Sequence, residues 1–155
     1  MKVEEALQTA LDFERQGRNY YLRSSEQVAD SVAQTILISL ANDENAHASM
    51  IRRFYKILQK QRGWPAATGD LSAAESAGLQ DILDKTVGKL GGESDYQKIY
   101  ETARQMELQS RDFYQKQAVA SGDPDLKKFL QFLAEVEQTH LEALEMLLWS
   151  IKGKD

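Results

Sequence analysis

The stretch DENAH, Asp43–His47, holds one of the two histidines in this 155-residue chain, and VEQTH, Val136–His140, holds the other. A glutamate stands three residues before each histidine: Glu44 before His47 and Glu137 before His140. Residues three apart on a helix share a face, so each pair can act at one place. An offset of 93 residues carries the first pair onto the second. The same offset carries Ala10 onto Ala103, Glu14 onto Glu107, Arg18 onto Arg111, Tyr21 onto Tyr114, Asp30 onto Asp123 and Leu40 onto Leu133. The chain reads as two copies of one helical hairpin.

Periodicity agrees. Apolar or small residues recur at Val3, Ala6, Leu7, Ala10, Phe13, Gly17, Tyr21 and Val28, then at Ala33, Ile36, Leu37, Leu40, Ile51, Phe54 and Leu58. Spacings of three and four put each series on one helical face. Asp30 is a candidate N-cap between them, giving helices over about residues 2–28 and 31–61. A third helix is expected from about 95 to 121, with Ile99, Ala103, Ser110, Tyr114 and Ala118 inward. Gly122-Asp123-Pro124 ends it, with Gly122 suited to a left-handed C-terminal position, Asp123 to the N-cap and Pro124 to the next first turn. A fourth helix runs to about 151, with Leu126, Phe129, Leu130, Leu133, Leu144, Leu147 and Leu148 inward. The segment between the hairpins is punctuated by Gly63, Pro65, Gly69, Gly91 and Gly92. Ser72 and Glu75 could form a capping box opening a short helix through Leu79, Ile82 and Leu83. The expected organisation is one all-α domain: hairpin 1 over about 2–61, a crossover over about 62–94 and hairpin 2 over about 95–152.

Each copy spaces its first glutamate 30 residues before its Glu-x-x-His: Glu14 before Glu44, and Glu107 before Glu137. Halfway lie Ala29 and Gly122, both at expected turns. A chain that climbs about 14 residues, reverses and descends as many returns to the same height, about 20 Å below the turn. Glu14 therefore sits beside Glu44, and Glu107 beside Glu137, on faces that are otherwise apolar. An unpaired buried charge costs several kcal/mol or changes its protonation. No lysine lies on these faces, so four converging carboxylates need a cation. Two divalent metals would balance four glutamates beside two neutral histidines. Carboxylate and imidazole ligands suit iron or manganese, and the absence of thiolates argues against structural zinc. Glu from two helices and Glu-x-x-His from the other two is the ligand set of ferritin-like di-iron and di-manganese bundles.

Composition removes other classes. The net charge is -5 and no basic cluster would hold a phosphate backbone, so nucleic acid is not an expected partner. There is no cysteine, which excludes disulfides, thiolate catalysis and Cys-x-x-Cys electron-transfer modules. MKVEEALQTALDFERQ has no apolar signal core, and no run approaches a membrane span, so a cytoplasmic location without membrane association is expected. Tyr21 and Tyr114 lie two turns after Glu14 and Glu107, as core tyrosines or as donors to a metal-ligating carboxylate. Gly17 and Ser110 either leave room for metals and an oxygen ligand or permit close helix packing. Arg18 and Arg111 are expected to reach the surface or a carboxylate outside the cluster, and Trp64 and Trp149 to be packing residues.

ALDFERQGRNYY (Ala10–Tyr21) and LANDENAHASM (Leu40–Met50), with ARQMELQSRDFY (Ala103–Tyr114) and FLAEVEQTHLEALEML (Phe132–Leu147), resemble the two hairpins of the rubrerythrin-like branch of the ferritin-like superfamily. The resemblance implies a four-helix bundle with a long crossover, a carboxylate-bridged di-iron centre and commonly a homodimer. It implies Glu14, Glu44, His47, Glu107, Glu137 and His140 as ligands of two iron ions. Glu44 and Glu137 would bridge, and Tyr21 and Tyr114 would support the ligands from outside. Rubrerythrins proper reduce hydrogen peroxide to water. They usually add a glutamate one turn after the third-helix ligand, where this chain has Ser110, and a cysteine-ligated rubredoxin domain. The leading expectation is an oxidoreductase reducing peroxide or dioxygen in oxidative-stress chemistry, with electrons from a separate protein. The alternatives are a non-enzymatic iron-handling protein and a structural bundle that metal merely stabilises.

Overall fold

Asp30 and Asp123, mates in the repeat, open the second helix of each hairpin in the same way. Asp30 Oδ1 accepts the backbone N–H of Val32 at 3.0 Å, and Asp123 Oδ1 accepts those of Asp125 and Leu126 at 2.9 and 3.3 Å. Each carboxylate satisfies donors that a helix start leaves unpaired, and its charge suits the positive end of the helix dipole. The computed structural model describes residues 2–63 and 96–152. Its elements are α1 (Val3–Gln27), α2 (Ser31–Arg62), α3 (Tyr96–Ala120) and α4 (Pro124–Lys152). These form an all-α, ferritin-like four-helix bundle, and the expected boundaries fall within one residue of those observed. Most of the expected crossover, with its short helix from Ser72, lies outside the described residues, as does Trp64.

The turns differ from expectation in one respect. Gly122 does not take a positive φ; among the described residues the left-handed glycine is Gly63, with φ 68° at the end of α2, donating its N–H to Gln59 O. The turn at Gly122 is instead braced by Ser121, whose hydroxyl receives the Asp123 N–H at 3.2 Å. Its repeat mate is Ala29, a residue for which the left-handed region is costly. The hairpin turn is thus built without that conformation.

α1 packs on α2, α3 on α4, and α1 against α3. The buried apolar residues fall into two clusters. One gathers Tyr20, Tyr21, Leu37, Leu40, Ile99, Ala103 and Leu144; the other gathers Leu7, Ala10, Ile51, Tyr114, Leu126, Leu130 and Leu133. Along every helix the Glu and His positions lie between them. The core is therefore two apolar plugs separated by a charged layer. Trp149, expected to pack, is 76% exposed. It follows the inward Leu148 by one position, which rotates it about 100° out of the apolar stripe. No described helix is long and apolar enough to cross a membrane.

Asp123 also pairs with Arg62 Nη2, tying the end of α2 to the start of α4. Asp123→Ala is expected to cost about 1–2 kcal/mol and lower Tm by about 2–6 °C, read by thermal denaturation followed by circular dichroism.

Candidate metal centre

The layer between the plugs is made of Glu14 on α1, Glu44 and His47 on α2, Glu107 on α3, and Glu137 and His140 on α4, all 5% exposed or less. Their ligand atoms form two overlapping groups, each within 4.8 Å: Glu14, Glu44, His47 and Glu137, and Glu44, Glu107, Glu137 and His140. Glu44 and Glu137 belong to both. The histidine rings stack with centroids 5.8 Å apart, and both turn Nδ1 towards the carboxylates. His47 Nδ1 lies 3.3 Å from Glu14 Oε2 and 3.6 Å from Glu137 Oε1. His140 Nδ1 lies 3.0 Å from Glu44 Oε1 and 3.2 Å from Glu107 Oε1.

The supports cross between the hairpins. Tyr21 Oη of α1 donates to Glu107 Oε1 of α3 at 2.7 Å, and Tyr114 Oη of α3 donates to Glu14 Oε1 of α1 at 2.7 Å. Each tyrosine belongs to one apolar plug and sends its hydroxyl into the charged layer. Each carboxylate is thereby fixed in orientation with one oxygen engaged. Arg18 and Arg111 stay outside the layer: Arg18 Nη1 donates to Asn45 and Arg111 Nη1 to Gln138, again repeat mates.

Despite these contacts, Glu44 Oε1, Glu107 Oε2 and both oxygens of Glu137 are buried and accept no well-directed hydrogen bond among the described residues, although His140 Nδ1 comes within 3.0 Å of Glu44 Oε1. Buried polar atoms rarely stay unsatisfied. The orphaned oxygens, two inward imidazole nitrogens and shared central carboxylates fit hard or borderline divalent cations, and the donor set is oxygen and nitrogen throughout. The residues present therefore fit a metal site.

Without metal, protons must do part of the balancing. Burial, then Glu14 and Glu137, pushes the Glu44 carboxyl well above its ordinary value. Burial, then Glu137, raises Glu14. Burial opposes the charged form of His47, but the neighbouring Glu137 and Glu14 carboxylates outweigh it and push its pKa up to about 9. His140 is raised as well, with burial opposed by Glu137 and then Asp43. Burial would also raise Glu137, but the close approach of the His140 and His47 rings, at 3.7 and 3.6 Å, holds it down at about 2. Burial, then the nearby carboxylates, holds Tyr21 and Tyr114 well above the ordinary phenol value, so both remain hydroxyl donors.

A recess between α1 and α3 reaches this layer. It is lined by Phe13 and Met106, Gln16 and Gln109, and Gly17 and Ser110, with Glu44 and Glu107. The first three are pairs of repeat mates, so the recess is shared by the two copies. Gly17 matters here through space rather than backbone: a Cβ would stand 3.3 Å from Glu44 Cδ and Oε2, so that carboxylate would have to give by a few tenths of an ångström.

A family model for rubrerythrin matches residues 5–148. The chain belongs to the rubrerythrin family. A solved structure of a hypothetical protein from Pyrococcus furiosus shares the fold, with a TM-score of 0.74 and 17% identity over 100% of this chain and 93% of that one. No curated protein matches the chain. This rubrerythrin-family chain brings all six expected Glu and His residues into one layer and places both expected tyrosines on its glutamates. Two neighbours of the layer were not among the expected residues. Gln16 is 8% exposed, and its Oε1 is unpartnered beside the recess. Asp43 Oδ2 lies 3.2 Å from His140 Nε2. Asp43 stands in the stretch that identified the site, but its partner is 97 residues away on α4, and no local pattern signals that contact.

The protonation pattern fixes a sign. His47 adds stability to the metal-free protein that is complete below pH 6.5 and lost as pH rises towards 9. Glu44, raised above its ordinary value, acts in the same direction, because ionisation in the folded state becomes costlier as pH rises. The chelated protein should lose on the order of 2–3 kcal/mol between pH 6.5 and 9, measured by denaturant titration at several pH values. Metal uptake must expel the same protons, so metal affinity should rise with pH over this interval, with proton release visible in weakly buffered solution.

Proposed function

We propose that this chain is a di-iron oxidoreductase of the rubrerythrin family that reduces hydrogen peroxide or dioxygen. Glu14 and His47 would help hold one iron and Glu107 and His140 the other, with Glu44 and Glu137, which belong to both groups, available to each. The observation that carries this reading is the four buried, unpartnered carboxylate oxygens beside two inward Nδ1 atoms. Manganese fits the same donors, and the fold family favours iron. Two adjacent ferrous ions can together supply the two electrons that cleave an O–O bond, so the metals would carry the redox chemistry.

The chain's own contribution is positioning. Tyr21 and Tyr114 hold Glu107 and Glu14 by one oxygen each; the other oxygen of Glu107 is unpartnered, and that of Glu14 faces His47 Nδ1, so both point to where a cation would lie. The two plugs keep water from the layer along the bundle axis. Among the described residues the recess between α1 and α3 is an approach to the layer, and Gly17 and Ser110 are small enough to keep it open at the carboxylates. Gln16 offers an amide oxygen there, suited to a small molecule that donates a hydrogen bond, as hydrogen peroxide does. These 155 residues hold no cysteine for a rubredoxin-type iron site, so reducing equivalents would reach the centre from outside this domain, as from a separate donor protein.

Ser110 favours a second reading. It stands where rubrerythrins proper usually carry a further glutamate, and its hydroxyl is turned back to Met106 O at 3.1 Å. A chain lacking that carboxylate could bind and release iron without turnover.

Anaerobic ferrous titration followed by stopped-flow absorbance separates the two. The oxidoreductase reading expects two irons per chain and fast growth of near-ultraviolet ferric absorbance, faster with peroxide than with dioxygen if peroxide is the substrate. Glu44→Gln and Glu137→Gln should each abolish stable binding of the second iron. Two irons that oxidise no faster than free iron would support iron handling instead. Gly17→Ala should retain iron but react on the order of tenfold more slowly, because the added methyl displaces the Glu44 carboxylate.

A further inference from the structure

The repeat is broken beside the metal layer. The offset that superposes the two ligand sets carries Asp43 onto Val136. His140 turns Nδ1 to the carboxylates and presents Nε2 to Asp43 Oδ2 at 3.2 Å. His47 turns Nδ1 inward in the same way, but the residue corresponding to Asp43 is a valine without an acceptor. Among the described residues no hydrogen bond reaches Nε2 of His47. The two halves thus match in their six candidate ligands and in the crossed tyrosines, and at the outer nitrogens of the histidines they differ in this carboxylate.

We propose that Asp43 makes the two metal positions inequivalent, so that the position bounded by Glu44, Glu107, Glu137 and His140 takes up a divalent cation first and more tightly. The position bounded by Glu14, Glu44, Glu137 and His47 fills second. The inference rests on the dinuclear reading above and adds the order of loading. Three effects act together. A carboxylate on Nε2–H fixes the tautomer that leaves the Nδ1 lone pair facing the metal. It makes the ring a stronger donor, and it adds a negative charge on that side only. Such partners change metal affinity by about 10–100-fold. The Asp43 side chain is 55% exposed, so solvent screening places the effect near the lower bound.

Stepwise binding alone does not test this, because two cations sharing Glu44 and Glu137 repel each other in any arrangement. The discriminating quantity is which step depends on Asp43. The test is anaerobic titration of the chelated protein with cobalt(II) at fixed pH and salt, followed through the cobalt visible bands. Asp43→Ala is expected to weaken the first step about five- to tenfold and the second less than about twofold. In a His47→Ala background the remaining site should lose about tenfold on adding Asp43→Ala; in a His140→Ala background the same change should do nothing. Asp43→Asn, which keeps an acceptor, should fall between wild type and alanine, and circular dichroism checks that every variant is folded. An unchanged first step, or equal weakening of both, overturns the inference while leaving the dinuclear site in place. Fewer than two cobalt ions bound by wild type overturns the dinuclear reading and this inference with it.

Discussion

Four carboxylates buried in an apolar bundle are the constraint on which the rest of this structure depends. Water cannot solvate them, and the two histidines can at most share protons with them. An isolated ion at this depth would cost several kcal/mol, a large part of the stability of a domain this size. The chain answers by confining the charges to one layer. Leu7, Ala10, Ile51 and Leu133 fill the space on one side, and Leu37, Leu40, Ala103 and Leu144 on the other. The apolar plugs fold the bundle; the layer between them is stable only in company with protons or cations.

Duplication explains how so short a chain assembles such a layer. A single hairpin brings Glu, Glu and His to one height but supplies only half the donors. Two hairpins supply both halves, and the crossed tyrosines make each half depend on the other: Tyr21 of the first fixes Glu107 of the second, and Tyr114 of the second fixes Glu14 of the first. Each first glutamate is therefore held from two sides, by its own hairpin's histidine and by the other hairpin's tyrosine. Arg18 to Asn45 and Arg111 to Gln138, by contrast, close each hairpin on itself. The site is thus locked between hairpins, and the surface within them.

What the sequence disclosed follows from this division. Glu14, Glu44, His47, Glu107, Glu137 and His140 were legible because helical geometry converts a 30-residue spacing and an i, i+3 pair into positions in space. Asp30 and Asp123 were legible because capping is local. The features that escaped depend on distant chain. Asp43 reads as one more acidic residue on a solvated helix face until α4 brings His140 to it. Gln16 reads as one more polar residue of α1 and gains meaning only where α3 forms the far wall of the recess. Gly122 and Trp149 misled for the opposite reason. Residue type suggested a left-handed cap and a packing aromatic, whereas the Ser121–Asp123 hydrogen bond and the rotation beyond Leu148 decide both places.

The same logic separates what is symmetric in this centre from what is not. Wherever the duplication is kept, the two halves must behave alike towards a cation, since burial and donors are matched. Functional difference between the two positions can come only from places where the copies have diverged near the layer. Gly17 against Ser110 shapes the approach, giving one wall no side chain and the other a hydroxyl bonded to its own helix. Asp43 against Val136 acts on the ligands themselves, charging one histidine's outer nitrogen and leaving the other's without a carboxylate. On the proposed dinuclear reading, both metals would be needed for a two-electron step but would not need to be equal. Divergence at these two pairs would then let the position with His140 serve as a retained anchor while the position with His47, whose repeat counterpart of Asp43 is a valine, exchanges more freely.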